Sequence, residues 1–279
     1  MLSLILATKG FRKNEIRRFL NSIQSTPNNL FEVLIICQDH DGYLDSLNEE
    51  YNINLKIIYS SPGLSKARNI GLKKAEGNLI GFPDDDCVYT PRLIHKIHEF
   101  FMKNSSVDCI TFDVYDLNNK SKLSFVNIKR SKYLLTTEIM RGISSISLFH
   151  RKQENLFFDE RFGIGGEYKS SEEFDYVINL IKKGKKVFYY DTLRVLHPDS
   201  SGYKSNTIIN RTKINGIGHG AYLRKNKKSL PTYHIIEMII LRPIIRFVTH
   251  IFNLNAKGAY VSILLVRARL KGFFKYESE

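Results

Sequence analysis

Three successive carboxylates, Asp84, Asp85 and Asp86, close a short apolar run in "NLIGFPDDDCVYTPRL". Like charges this close repel and raise one another's pKa, so the cluster calls for a cation. Asp84 and Asp86, two residues apart at a strand end, can each offer oxygens to a hard divalent ion such as Mg²⁺ or Mn²⁺, with phosphate oxygens and waters completing the shell. The bland alternative is an acidic turn ahead of a helix, with Thr90 as N-cap and Pro91 at the first helical position.

The elements that must hold these aspartates are legible upstream and downstream. "LSLILA", "FEVLIIC", "LKIIYS", "LIGF" and "VDCITFDV" are short apolar or β-branched runs, and helix-period segments separate them. Ile16, Phe19, Leu20 and Ile23 fall on one helix face, as do Leu93, Ile94, Ile97 and Phe101. Alternating strand and helix implies a Rossmann-like α/β fold, a mostly parallel sheet flanked by helices, with ligands outside the carboxyl ends of the strands. The aspartates follow "LIGF", where such a site belongs. "MLSLILATKG" reads as the first buried strand and not as a signal peptide, because it lacks a basic leader and a cleavage site. Further on, the pattern predicts a strand at "SISLFH", a helix over 172–183, and two strands at "KVFYY" and "LRVLH".

The 279 residues carry a formal net charge of +14, and fourteen Lys and Arg against three Glu lie from Ser201 onward. An anionic partner follows. Nucleic acid fits poorly, since the basic tail is interleaved with Ile and Leu runs and shows no nucleic-acid-binding signature. The tail instead holds a polar, Gly-punctuated stretch and then "YHIIEMIILRPIIRFVTHIF" and "AYVSILLVRARLKGFFKY". Both are too interrupted to span a bilayer. They suit basic amphipathic helices lying on an anionic membrane surface, or alternatively packing on the protein's own core or on a second subunit as a homo-oligomer. Three cysteines fit neither a disulfide framework nor a CxxC metal pattern, which suggests reduced thiols in a cytoplasmic protein, peripheral on the inner face of the membrane.

"LSLILATKGFRKNEIRRFLNSI", "EVLIICQD", "GLSKARNIGLKKAEGNLIGFPDDDCVY" and "GIGGEYKSSEEFDYVINLIKKGKKVFYYDTLRVLHP", in this order, resemble the family 2 inverting glycosyltransferases of the GT-A fold. The resemblance covers roughly residues 1–198. It implies a catalytic domain over 1–200, with a nucleotide-sugar-binding half (1–115) and an acceptor half (116–200), followed by a basic helical region over 201–279. It further implies transfer of a sugar from a nucleotide-diphosphate sugar, most commonly a UDP-sugar, to a hydroxyl of a glycan or lipid-linked glycan in cell-surface polysaccharide synthesis.

Carried over residue by residue, the resemblance makes Asp86 the direct ligand of Mn²⁺ or Mg²⁺, with Asp84 beside it and His197 completing the coordination. Asp85 faces the ribose or sugar. Lys66, Arg68 and Asn69 lie where the family approaches the nucleotide, and Thr8 with Gln38 and Asp39 matches the base-binding loops. Many relatives carry Asp where this chain has Cys37, so Gln38 or Asp39 takes the base's polar edge. Glu173 falls at the position of the catalytic base, with Glu172 as its substitute and Asp175 placed to bind acceptor hydroxyls. Ser170 and Glu173 also spell a capping box, which would occupy that carboxylate. "GIGGEYKSS" could close over the donor as a mobile loop or serve only as tight turns. Two other readings are a non-catalytic membrane-surface assembly protein of the same fold and a sugar-phosphate nucleotidyltransferase. The latter lacks its Gly-rich loop here, where "ATKGFRK" stands.

Overall fold

The computed structural model describes residues 1–39, 43–123, 127–199 and 205–277. Its elements are, in order, β1 (Leu2–Thr8), α1 (Lys13–Ile23), β2 (Phe31–Cys37), the short α2 (Leu47–Glu50), β3 (Leu55–Tyr59), α3 (Leu64–Lys74), β4 (Leu79–Gly81), β5 (Val88–Tyr89), α4 (Leu93–Lys103) and β6 (Cys109–Asp116). Then come β7 (Lys132–Tyr133), the single turn α5 (Ile139–Gly142), β8 (Phe149–Arg151), α6 (Glu172–Lys182), β9 (Val187–His197), α7 (Ser205–Lys225), α8 (Thr232–Ile236), α9 (Arg242–Phe252) and α10 (Ala256–Lys275).

The sheet runs β3-β2-β1-β4-β8-β6-β9-β5, with β7 also on β9. β3, β2, β1 and β4 are parallel. β8 enters antiparallel to both β4 and β6, β6 and β9 are parallel, and β5 and β7 run antiparallel to β9. The sheet is therefore mixed in its second half. Strand β1 is buried on both faces, Leu4 and Leu6 in one core cluster and Ile5 in the other, as expected where helices cover both sides. Ile16, Phe19, Leu20 and Ile23 of α1 turn inward as their spacing requires.

Several local expectations change in the fold. Thr90 does not cap α4: Arg92, in the left-handed region, precedes the helix, and the Thr90 hydroxyl donates to the Arg194 carbonyl of β9. "SISLFH" divides into a 3₁₀ turn over Ser145–Ser147 and strand β8, because the Ser147 amide bonds back to the Ser144 carbonyl. "KVFYY" and "LRVLH" form one strand, β9, whose pairing with β6 shifts register between Thr111 and Asp113. The Gly-punctuated stretch is largely the helix α7, and the expected boundary at residue 200 lies outside the described residues.

Gly216, Gly218 and Gly220 of that stretch are packing devices. A Cβ on Gly220 would collide with the Arg269 carbonyl, and one on Gly272 with the Ile217 carbonyl, so α7 and α10 approach backbone to backbone. α8, a π turn over Glu237–Leu241 and α9 form one continuous run. Its cause is Pro243. The Arg242 amide bonds to the Glu237 carbonyl five residues back, and the next carbonyl, that of Met238, would need an N–H from Pro243, which has none. The Arg269 guanidinium donates to the Met238 carbonyl instead.

Candidate active site

The carboxyl ends of β1, β2, β4 and β9 converge on one cleft. β1 ends in Thr8, Gln38 lies just past β2, the aspartates follow β4, and β9 ends in His197. β1 lies between β2 and β4, where the strand order reverses, and this is the crevice in which such sheets bind ligands. The cleft encloses about 480 Å³ and is lined by Thr8, Arg12, Gln38, Asp84, Asp85, Asp86 and His197, with Ile164, Asp199 and Arg211 at its sides.

The cations that the three aspartates demand are identifiable. Arg12 meets Asp85 at 3.1 Å and also pairs with Asp86, Arg68 Nη2 approaches Asp84 Oδ1 at 3.4 Å, and His197 Nε2 lies 3.1 Å from Asp86 Oδ1. Desolvation pushes Asp84 up to about 6 despite the pull of Arg68. Burial likewise raises Asp85, against the Thr8 hydrogen bond and Arg12. Burial would raise Asp86 too, but His197 and Arg12 outweigh it and hold this carboxylate below its ordinary range. Conversely, His197 is raised, because Asp86 more than offsets the burial of the imidazole.

Ligand atoms of Asp84, Asp86 and His197 all lie within 4.8 Å of one another. The donor set fits a divalent cation. The Nδ1–H of His197 donates to the Pro198 carbonyl at 2.8 Å, which orients Nε2 into the cluster as a metal-bound histidine requires. Two carboxylates with an imidazole suit Mn²⁺ better than Mg²⁺, which prefers an all-oxygen shell.

The remaining predicted residues divide between the cleft and its foundations. Thr8 Oγ1 donates to Asp85 at 2.7 Å, and Gln38 Oε1 accepts from the Gly63 amide at 2.8 Å. Asp39 is exposed and outside the lining. Arg68 is 2% exposed and spans Asp84 and Glu172 from below, 5.7 Å and 5.4 Å from the ring centroids of Phe82 and Phe158. It organises carboxylates and does not face the cleft. Asn69 holds Phe158 and Glu160 through its amide, and exposed Lys66 lines a smaller neighbouring cleft.

At the start of α6 the three carboxylates separate by environment. Glu172 accepts from Arg68 Nη1 at 3.2 Å. Asp175 is fully buried, bound to Lys225 at 2.6 Å and Asn226 at 3.0 Å, in the foundations and not in the cleft. Glu173 has, among the described residues, no hydrogen-bond partner beyond its own amide, and burial beside Glu172 raises its pKa strongly. The capping box does not form. Ser171 precedes the helix in the left-handed region, no side chain caps it, and the Ser170 amide bonds to the Tyr168 carbonyl at 2.8 Å. Glu173 is thereby left for other work.

The glycine loop is anchored at the cleft wall: the Leu64 amide bonds to the Ile164 carbonyl, and Ser65 Oγ to the Phe162 carbonyl. Three cations of the cleft lining, Lys9, Arg12 and Arg211, escaped the sequence reading. Arg12 follows Gly10 in the loop after β1, and a basic residue past a glycine at a strand end was its available signal. Arg211 comes from α7, and only the packing of that helix over the strand ends brings it here.

A parallel half-sheet running into a mixed second half, with a carboxylate-histidine cluster at its switch point, is the architecture of the GT-A fold. Residues 3–166 match the sequence profile of Glycosyl transferase family 2, and the chain belongs to that family of glycosyltransferases. It is 22% identical to an uncharacterized glycosyltransferase of Haemophilus influenzae, over 98% of this chain and 93% of that protein. It is 25% identical to the poly(ribitol-phosphate) beta-N-acetylglucosaminyltransferase TarS of Staphylococcus aureus, over 73% of this chain but only 37% of TarS. The fold matches TarS 1-349 in complex with UDP with a TM-score of 0.59 at 17% identity, over 99% of this chain and 88% of that one. It also matches the mannosyltransferase PcManGT of Pyrobaculum calidifontis in complex with GDP-Man and Mn²⁺, with a TM-score of 0.67 at 15% identity and the same coverage. These likenesses establish the GT-A fold.

Proposed function

We propose that this protein is a metal-dependent inverting glycosyltransferase that moves a sugar from a nucleotide-diphosphate sugar, most simply a UDP-sugar, to a hydroxyl of a glycan or lipid-linked glycan in cell-surface polysaccharide synthesis. The observation that carries the reading is the Asp84, Asp86 and His197 cluster at the switch point of the sheet, linked to Glu172 of α6 by the two salt bridges of Arg68. A neighbour bound to UDP and another bound to GDP-Man and Mn²⁺ support a nucleotide-sugar donor. Relatives named for polymer work, the poly(ribitol-phosphate) beta-N-acetylglucosaminyltransferase TarS and the minor teichoic acid biosynthesis protein GgaB of Bacillus subtilis, support a cell-wall polymer as the acceptor class.

In this reading Glu173 removes the proton from the acceptor hydroxyl, whose oxygen attacks the anomeric carbon opposite the diphosphate. The bond from that carbon to the diphosphate oxygen breaks, the nucleoside diphosphate leaves with the electron pair, and one displacement inverts the centre. Asp84, Asp86 and His197 would hold a divalent ion, which would supply charge neutralisation to the departing diphosphate. Arg12 and Arg211 at the cleft add fixed positive charge of the same use, and Thr8 and Gln38 line the nucleoside end.

The exposed apolar side chains of α9 support a peripheral site on an anionic membrane, with homo-oligomerisation through the same region as the competing outcome. No helix among the described residues is long and apolar enough to cross a membrane. The test of the activity is release of nucleoside diphosphate from UDP-, GDP- and dTDP-sugars with Mn²⁺ or Mg²⁺. Donor turnover that needs the metal and stops in EDTA is expected; turnover unaffected by EDTA overturns the metal assignment, and none with any donor overturns the activity.

A further inference from the structure

A second basic cavity, of about 190 Å³, lies away from the donor cleft between the α5 turn, α7, the π turn, α9 and α10. Four guanidinium groups line it: Arg141 from α5, Arg242 and Arg246 from α9, and Arg269 from α10. Glu237 is the one carboxylate that forms an ion pair with any of them among the described residues; it takes Arg242 of the four, at 2.7 Å and 2.9 Å, and meets His234 with its other oxygen at 3.2 Å. Among the described residues Arg141, Arg246 and Arg269 form no ion pair, and all three border this small volume.

The cost of this arrangement is visible in the groups themselves. Arg269 is 7% exposed and its Nε has no partner, and the Nε of Arg141 is buried and unpartnered too. Burial together with Arg246 and Arg242 lowers the Arg269 pKa to about 10. Arg269 has a fold role through the Met238 carbonyl, and Arg242 has one through Glu237; among the described residues Arg246 has no such partner, and Arg141 meets only the longer-range field of Glu138. Clustered guanidinium groups with free donors match the oxygens of a phosphoryl group, which each can engage bidentately.

We propose that this arginine cavity is a second anion site that binds a phosphoryl group, separate from the nucleotide-sugar cleft. Leu241, Ile244 and Ile245, exposed beside Arg242 and Arg246 on the same helix, would sit in the acyl boundary if the group belongs to a lipid. A soluble phosphate ester would use the cavity alone. The site lies close behind the candidate base: Arg269 Nη2 reaches His219 Nδ1 at 3.4 Å, and the His219 ring packs 5.8 Å from Phe174, the residue after Glu173. Anion binding in this cavity does not depend on the identity of the donor.

The test uses the full chain and the double variant Arg141→Gln/Arg246→Gln, neither residue belonging to the donor cleft. One arm measures the thermal midpoint in inorganic phosphate or glycerol 3-phosphate against chloride at matched ionic strength. The other measures sedimentation with phosphatidylcholine vesicles that do or do not contain phosphatidic acid. A rise of about 2–4 °C at ten times Kd, or binding selective for phosphatidic acid, is expected in the wild-type chain, with about a tenfold weakening in the double variant. Response in the first arm identifies a soluble ester, and response in the second alone identifies a headgroup. Equal responses of wild type and variant, or none in either arm, overturn the site. If the double variant is unfolded by circular dichroism, the single exposed substitution Arg246→Gln gives the same comparison.

Discussion

The acidic triplet explains itself once its neighbours are known. Arg12, Arg68 and His197 surround Asp84 to Asp86 from three sides, and ligand atoms of Asp84, Asp86 and His197 lie close enough together that they could hold a cation. Asp86→Ala is expected to abolish metal-dependent turnover and to weaken Mn²⁺ binding followed by electron paramagnetic resonance, with the circular dichroism unchanged; undiminished Mn²⁺ binding would remove Asp86 from the ligand set. Glu173 is the carboxylate of α6 not held by a cation, and no cap competes for it. Glu173→Gln should lower kcat by about 10² to 10⁴-fold while the thermal midpoint stays near that of the wild type. A large stability loss at near-normal kcat would move the role to another group. Because burial and Glu172 raise Glu173, the acid limb of kcat/KM should fall at a pH above the ordinary carboxylate range.

At the scale of elements, two junctions set stability. The α7–α10 crossing depends on bare backbone at Gly220 and Gly272. Gly272→Ala would gain about 1 kcal/mol of helix propensity but force the helices apart, at a cost of roughly 1–3 kcal/mol, so a lower urea midpoint is expected. A midpoint raised by this substitution would show that the crossing has room to relax. The second junction joins β8 to α6 through His150, which donates from Nδ1 to the Arg151 carbonyl and accepts from the Tyr176 hydroxyl at 3.0 Å. Burial lowers His150 to about 4, against about 6.5 in an unfolded chain. The unfolded state therefore binds the extra proton between these values. Stability is full above about pH 6.5 and is lost as pH falls toward 4, by at most about 1.4 kcal/mol per pH unit from this residue. His150→Gln, which keeps an acceptor for Tyr176, should flatten the urea-derived stability between pH 6.5 and 5.

For the whole molecule, the C-terminal helices are not an appendage in energetic terms. Ala221, Tyr222, Leu230, Ile235, Met238 and Tyr276 belong to the same core cluster as Ile5, Phe82 and Phe158. Lys225 of α7 ties Asp159 at 2.8 Å and the buried Asp175 at 2.6 Å. Lys225→Ala leaves Asp175 uncompensated, and a loss of about 3–5 kcal/mol is expected, read as one cooperative transition by denaturant; a separate early transition of the C-terminal helices would show that they fold independently. On the outer face of α9, Ile245, Ile251 and Phe252 are exposed, Phe252 by 82%. Ile245→Asp with Phe252→Asp should abolish sedimentation with phosphatidylglycerol vesicles and leave donor hydrolysis intact. If the vesicles never bind the wild type and the double variant instead changes a dimer into a monomer, that face is a subunit contact.

The amino-acid sequence by itself determined β1 to β4 and β6, the inward face of α1 and the position of the aspartates, because these rest on local periodicity and on a chemical oddity visible in one line of text, whereas the two-residue β5 is too short to leave a pattern. The ordered motifs also placed the chain in its family. Neighbours in space decided the rest. Whether Ser170 and Glu173 form a cap depended on the left-handed turn at Ser171, and Thr90 lost its capping role to a carbonyl on β9, more than a hundred residues away. Glycines that read as loop punctuation are helix contacts, because the same missing Cβ serves a turn or a close crossing and only the partner helix distinguishes them. Arg68, Asn69 and Asp175 resembled ligand-binding residues by motif, yet their partners Glu172, Phe158 and Lys225 make them the frame of the site. A charge pattern names the residue types available, while the direction each side chain takes is fixed by which distant element must pair with it.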